Sequence, residues 1–407
     1  MIRQLLAYVC FVSFAVSGIA EDWPQFLGPT RNGVSTETPL AASWSKTGPR
    51  VVWQRAVGEG WSGPVVAGGR LVLFHRKGDD EVVECLDAAN GKEHWKFEYP
   101  TNYVDDFNFD PGPRATPLIA GKHVYTLGAE GKMHCLELAT GKKVWDRALA
   151  DDYQAAKGFF GVATSPVLDN GFLLVNIGGK NAGIVALNAE TGKEVWKATT
   201  DAASYSSPVV ATIDGVRHAL FFTREGIVSL DPATGDVRFR KRWRSRNNAS
   251  VNAATPVVAG NEVFFSASYE TGAILLRAKK DGFDEIWTND ESLSCHYGTP
   301  IAQHGYLYGF HGRQERKASL NCVEWKTGKV QWTQERFGCG SMLLADGRLI
   351  ILGEDGDLVL VEATPKGYVE QARAPVLGRG CRAQIALADG RLYARDTKKL
   401  VCLELKK

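Results

Sequence analysis

Three stretches nearly spell one another: LDAANGKEHW at 86–95, LELATGKKVW at 136–145 and LNAETGKEVW at 187–196. Their glycines, Gly91, Gly141 and Gly192, open a series that continues through Gly235, a weaker Gly282 and Gly328, spaced 43 to 51 residues apart. A period of that size marks a small β-sheet repeated along the chain, each copy too small to bury its own faces. A second phrase runs in step with the first, as WSGPVVAGGRLVLF at 61–74, RATPLIAGKHVYTL at 114–127 and ATSPVLDNGFLLVN at 163–176. Further copies begin at Tyr205, Ala253 and Tyr297, and two more, at Cys339 and Cys381, lack the proline. Each copy is an apolar run, a Gly-bearing turn and a second apolar run, the signature of a β-hairpin.

Two strands from the hairpin phrase and two from the ten-residue phrase make a unit of four antiparallel strands, here A to D. Repeated radially, such units predict an all-β, eight-bladed β-propeller, which hides most strand edges. The chain ends after a C strand, KKLVCLELKK, whereas PRVVWQRAV at 49–57 is a D strand with no A, B or C before it. One completes the other, so Trp53 is expected on the outer strand of the last blade, closing the ring. The expected division is an export signal over 1–20, an N-terminal strap over 21–50 and the propeller over 51–407.

In the ten-residue phrase the glycine meets a turn that needs positive φ. Four residues earlier stands Asp87, Glu137, Asn188, Asp231 or Glu324, an acceptor for turn amides. After the glycine comes Trp95, Trp145, Trp196, Phe239 or Trp332, with Trp287 in the longer fifth copy. Together with Trp53 these aromatics are expected to be blade-to-blade clamps, because each has a large surface to bury and the indoles have an N–H to satisfy.

Residues 1–20 carry Arg3 as their only charge, then an apolar run ending in small residues at Gly18 and Ala20, as a cleaved export signal does. Val9 stands where a lipid anchor on Cys10 would need a small residue. A periplasmic or secreted protein without a transmembrane segment is expected. The formal net charge of +2 provides no field toward nucleic acid, and the basic run RKRWRSR at 240–246 reads as a solvated segment.

Cys85, Cys135, Cys322 and Cys402 fall on C strands as small packing residues. Cys295, Cys339 and Cys381 precede three successive A strands, where a bridge or metal site is conceivable and separate thiols are the simpler expectation. The same face should carry Trp61, His75, Arg114, Tyr205, His296, Tyr297, His311, Arg313 and Arg382, a polar and aromatic mouth able to bind a ligand. Asp105, Asp106 and Asp110 lie nearby in a spacing that fits no calcium loop.

The phrases DAANGKEHW, ELATGKKVW and NAETGKEVW resemble the tryptophan-docking motif of eight-bladed quinoprotein-type propellers, a likeness covering nearly all of 51–407. The leader DWPQFLGPTRNGVS is similar to that of exported repeat proteins of this kind. The family includes dehydrogenases dependent on pyrroloquinoline quinone (PQQ) and the BamB-type envelope protein. The resemblance implies a binding or scaffold protein of the cell envelope, a monomeric propeller whose partner is an envelope protein or peptide, with a small-molecule ligand as a further option. The alternative it implies is a PQQ-dependent alcohol or sugar dehydrogenase, with PQQ and calcium at the channel mouth. The chain lacks the adjacent Cys-Cys pair of those enzymes, and no catalytic residue or metal ligand carries over. A hydrolase would need a nucleophile motif such as G-x-S-x-G, which is missing.

Overall fold

The computed structural model describes residues 21–279 and 282–406, so the segment assigned to the export signal, Cys10 included, lies outside the described residues. The described residues form eight four-stranded antiparallel sheets with one short helix, Leu149–Asp152, and one 3-10 turn, Gln314–Arg316. In blade one, A to D are Val65–Ala67, Arg70–Lys77, Asp80–Asp87 and Glu93–Pro100. Blade eight takes Ala386–Ala388, Arg391–Arg395 and Lys399–Glu404 from the C-terminus and its D strand, Val51–Ala56, from the N-terminus. Trp53 pairs with Cys402 there, so the ring closes as the unmatched D strand predicts.

Burial follows from stacking the sheets face to face. The B and C strands are covered on both faces and read as continuous apolar runs, LVLF in blade one and LIIL in blade seven. D strands are half solvated and alternate, as EHWKFEYP does. Each core cluster therefore mixes two neighbouring blades; Val72, Phe74 and Val83 pack with Ile119, Val124 and Leu136.

The ten-residue phrase holds these neighbours together. Gly141 turns at φ +73°, donates to the Glu137 carbonyl at 2.8 Å and presents a bare Cα to the Trp95 ring; a Cβ there would lie 2.5 Å from it. Trp95 Nε1 donates to the Leu138 carbonyl of the next blade at 2.9 Å. The same bond runs from Trp53 to Ala88, Trp145 to Ala189, Trp196 to Pro232, Trp287 to Trp325 and Trp332 to Thr364, at 2.8–3.1 Å. Phe239, with no N–H, instead packs against Phe283 at 5.0 Å between ring centroids. The acidic and amide residues do tie the turns, as Asp87 Oδ1 accepts from the Ala89 and Asn90 amides.

Blade seven has no aromatic at this position: Ala372 pairs with Leu360 where the other blades place tryptophan or, in blade four, Phe239. The strap crosses that seam. Thr38 and Leu40 bond Asp346 of blade seven, Ala41 donates to the Leu405 carbonyl at the end of blade eight, and Trp44 packs on the shared core. Upstream, the strap runs around the A strands at the hairpin end of the channel. Trp23 bridges Val66, Pro24 accepts from the Ile119 amide, and Val34 bridges Leu344. Arg31, 4% exposed, donates to the carbonyls of Ser165, Pro166 and Pro208 at 3.0–3.1 Å, and burial lowers its pKa to about 9. The leader phrase is thus a plug that makes the channel blind at one end.

Candidate functional site

Above the plug, the residue just before each A-strand proline, or its equivalent, forms a belt around the channel. The Gly63 amide donates to Thr116 Oγ1, Thr116 to Ser165 Oγ, Ser165 to Ser207 Oγ and Thr255 to Thr299 Oγ1, at 2.9–3.2 Å. The hydroxyls of Thr116, Ser165, Ser207 and Thr299 each stitch one blade to the next, which accounts for Ser or Thr before the proline, whereas Thr255 Oγ1 is itself buried without a partner. The belt continues through Ser341 and Gln384, where Ser341 Oγ and Gln384 Oε1 are buried without a protein partner.

This belt, Phe26 of the plug and the loops of the open end enclose a cavity of about 410 Å3, the size of a small-ligand or side-chain pocket. Its walls are aromatic. Phe107 and Phe109 come from the loop between blades one and two, Phe159 and Phe160 from the loop between blades two and three. Phe107 stacks on Phe109 at 6.0 Å and meets Phe160 at 5.4 Å, while Phe160 touches Tyr205 at 5.5 Å. Phe107, Phe109 and Phe159 remain 50%, 58% and 37% exposed, and Val104 beside them is 67% exposed.

Three guanidinium groups are set among these rings. Arg114 and Arg382 both stand over Trp61, at 4.8 and 4.5 Å from its centroid, and Arg313 lies 4.2 Å from Tyr269. Every one has a carboxylate partner: Asp105 for Arg114 at 2.6 Å, Glu354 for Arg382 at 2.6 Å and Glu315 for Arg313 at 3.1 Å. Tyr297 donates to the same Glu354 oxygen at 2.7 Å. His296 is held through Nδ1 to Gln314 Oε1 at 2.6 Å and through Nε2 to the Tyr269 hydroxyl at 3.2 Å. Burial lowers its pKa, and both ring nitrogens are engaged.

Of the residues singled out in the sequence, Trp61, Arg114, Tyr205, His296, Tyr297, Arg313 and Arg382 line this cavity. His75 and His311 do not. They share a register, and the structure uses both to hold a loop: each Nδ1 accepts from an amide of the segment entering its own blade, Gly58 at 2.8 Å and Ser294 at 3.1 Å. His75 is fully buried, 3.6 Å from Glu84, and burial depresses its pKa. Cys295, Cys339 and Cys381 are free and buried, their thiols pushed up to about 12 by burial. In the basic run, Arg240, Lys241, Arg242 and Arg244 each face a carboxylate.

Sequence reasoning missed the phenylalanine rim, Tyr269 and Phe26. A signal existed for the rim. The two widest spacings between repeat glycines, 50 and 51 residues, contain the two loops that carry it.

The profile of the family described as outer membrane protein assembly factor BamB matches residues 79–334. The chain belongs to this family. A BamB of Burkholderia pseudomallei is 22% identical over 266 residues, covering 60% of this chain and 61% of that protein. The match thus spans less than two thirds of that relative. Among solved structures, BamB from Moraxella catarrhalis superposes with a TM-score of 0.64 at 15% identity, covering 88% of this chain and 98% of that one. Quinohemoprotein alcohol dehydrogenase from Comamonas testosteroni gives 0.67 at 14% identity, covering 94% and 80%. At these identities the likeness is one of fold.

The dehydrogenase likeness raises the question of PQQ with calcium, and the residues do not fit that pair. Calcium takes six to eight oxygen ligands, yet among the described residues no three His, Cys, Asp or Glu side chains converge. Asp105, Glu315 and Glu354, the carboxylates at the mouth, are each committed to an arginine. The Trp61 ring, where a planar quinone would stack, already carries two guanidinium groups. Among the described residues, no helix is long and apolar enough to cross a membrane.

Proposed function

We infer that this BamB-like propeller is an exported binding or scaffold protein of the cell envelope that captures a segment of another protein at its open channel mouth. The observation that carries this reading is the exposed rim of Phe107, Phe109 and Phe159 over a blind aromatic cavity. Solvent-exposed phenylalanines clustered at one edge of a pocket have unburied apolar area that a polypeptide running across the mouth covers more fully than a small ligand within the cavity would. Membership of an assembly-factor family is consistent with a protein partner.

A photo-crosslinking residue at Phe109 tests this in the envelope of the producing cell, with the same residue at exposed Val195 on an outer strand as the control. A discrete protein adduct at Phe109 alone is expected. No adduct at Phe109, or equal adducts at both positions, would overturn the mouth as the capture site. Saturable PQQ binding with calcium and turnover of alcohols would overturn the scaffold reading in favour of a dehydrogenase.

A further inference from the structure

Where blades seven, eight and one meet at the channel, the cavity wall has hydrogen-bonding capacity that the protein does not use. Arg382 commits only Nε, to Glu354; among the described residues its two Nη nitrogens make no hydrogen bond, and they lie among Trp61, Phe109 and Tyr297. Ser341, 4% exposed, leaves its hydroxyl unpartnered. The Gln384 side-chain oxygen and Trp61 Nε1 are also buried without partners. All four residues line the one cavity. Arg382 lies 4.5 Å from the Trp61 ring centroid, and a Cβ on Gly63, two residues after Trp61, would lie 2.7 Å from the Gln384 backbone carbonyl. The serine, glutamine and indole atoms are closed off from the cavity by their neighbours, whereas the Arg382 side chain keeps 23% of its surface exposed, so its two unbonded Nη groups are the donors that an occupant can reach.

The free fork describes that occupant. Two Nη groups in a fixed geometry suit a carboxylate, which accepts bidentately from arginine. The surrounding rings suit an aromatic or large apolar neighbour. Resting on the mouth-capture reading above, we propose that the captured segment inserts an Asp or Glu side chain, flanked by aromatic residues, against the Nη groups of Arg382. Glu354 limits this site, because its charge already occupies one edge of the guanidinium and repels a second carboxylate nearby.

The test uses fluorescence anisotropy with two labelled, end-blocked peptides that differ in one residue, Gly-Ala-Phe-Glu-Phe-Ala-Gly and its Gln counterpart. The Glu peptide is expected to bind roughly tenfold or more tightly than the Gln peptide, the scale of a charge-assisted hydrogen bond. Arg382→Gln should erase or reverse that preference while keeping residual aromatic binding, since Glu354, still held by Tyr297, then repels the Glu peptide. Glu354→Gln should act oppositely and tighten the Glu peptide several-fold, a gain that loss of folding cannot mimic. Equal binding of the two peptides would overturn the carboxylate subsite and leave mouth capture standing. Failure of both peptides to bind the wild-type protein would overturn both together.

Discussion

Gly141 and Gly171 separate the cost of an awkward backbone from the cost of losing a blade clamp. Both adopt positive φ, +73° and +82°. An alanine at either is therefore strained by about 1–2 kcal/mol. Around Gly171 an added Cβ meets nothing within 4 Å, whereas at Gly141 it would lie 2.5 Å from Trp95 Cε3 and 2.6 Å from Cδ2. Carbon atoms rest about 3.5–4.0 Å apart, so the indole must retreat by about 1 Å. That overpacks the seam, at about 1–3 kcal/mol, and stretches the 2.9 Å bond from Trp95 Nε1 to Leu138. Gly141→Ala is therefore expected to cost about 3–4 kcal/mol, and Gly171→Ala about 1–2 kcal/mol. Trp95→Ala alone removes a buried aromatic and should cost about 3–5 kcal/mol. In that background the ring no longer stands in the way, so Gly141→Ala should add only its backbone strain, leaving a coupling of about 2 kcal/mol. Urea unfolding followed by far-UV circular dichroism measures all four proteins, with unchanged slopes as the condition for comparing midpoints. Equal costs for the two glycine variants, or strict additivity of Gly141→Ala with Trp95→Ala, would refute the clamp.

The plug predicts that Arg31→Ala, which strands the carbonyls of Ser165, Pro166 and Pro208, lowers stability by about 3 kcal/mol or more. It should also make residues 21–48 cleavable by subtilisin at levels the wild type resists; an unchanged digest would refute the plug. Burial lowers the His134 pKa to about 4, against opposing influence from Asp146, while the ring lies tilted against Tyr99 at 4.2 Å between centroids. The unfolded chain then binds a proton that the folded one does not. Stability from this group should be fully present above pH of about 6.5 and fall as pH drops toward about 4, by up to about 3 kcal/mol. His134→Phe should flatten part of that slope in midpoints measured across the window, and an identical slope would refute the assignment. The seven described cysteines are all free and buried, so the native protein should resist a thiol reagent, and all seven should titrate after denaturation without reductant. A lower count would reveal a bridge.

The repeat was legible because it answers to local and nearest-neighbour physics. A glycine at positive φ, an acceptor for the turn amides and a tryptophan to lay on the next blade's glycine must recur wherever one sheet meets another. Spacing alone then yielded the blades, and the orphan strand around Trp53 yielded the closure. The mouth was legible in part for the same reason: residues just before each A strand must face the channel, which placed Trp61, Arg114, Tyr205, His296, Tyr297 and Arg382. Its limit was just as physical. His75 and His311 sit at strand ends whose direction depends on the loop packed over them, and both turn to hold that loop. The strap's route was not encoded in any period, since Arg31 finds its carbonyl partners on two blades more than a hundred residues away. Nor could spacing say that two overlong loops would bring four phenylalanines to one edge. Local sequence determined the units and their order; the closed ring decided which side chains meet across its channel, because that depends on contacts between segments far apart in the chain.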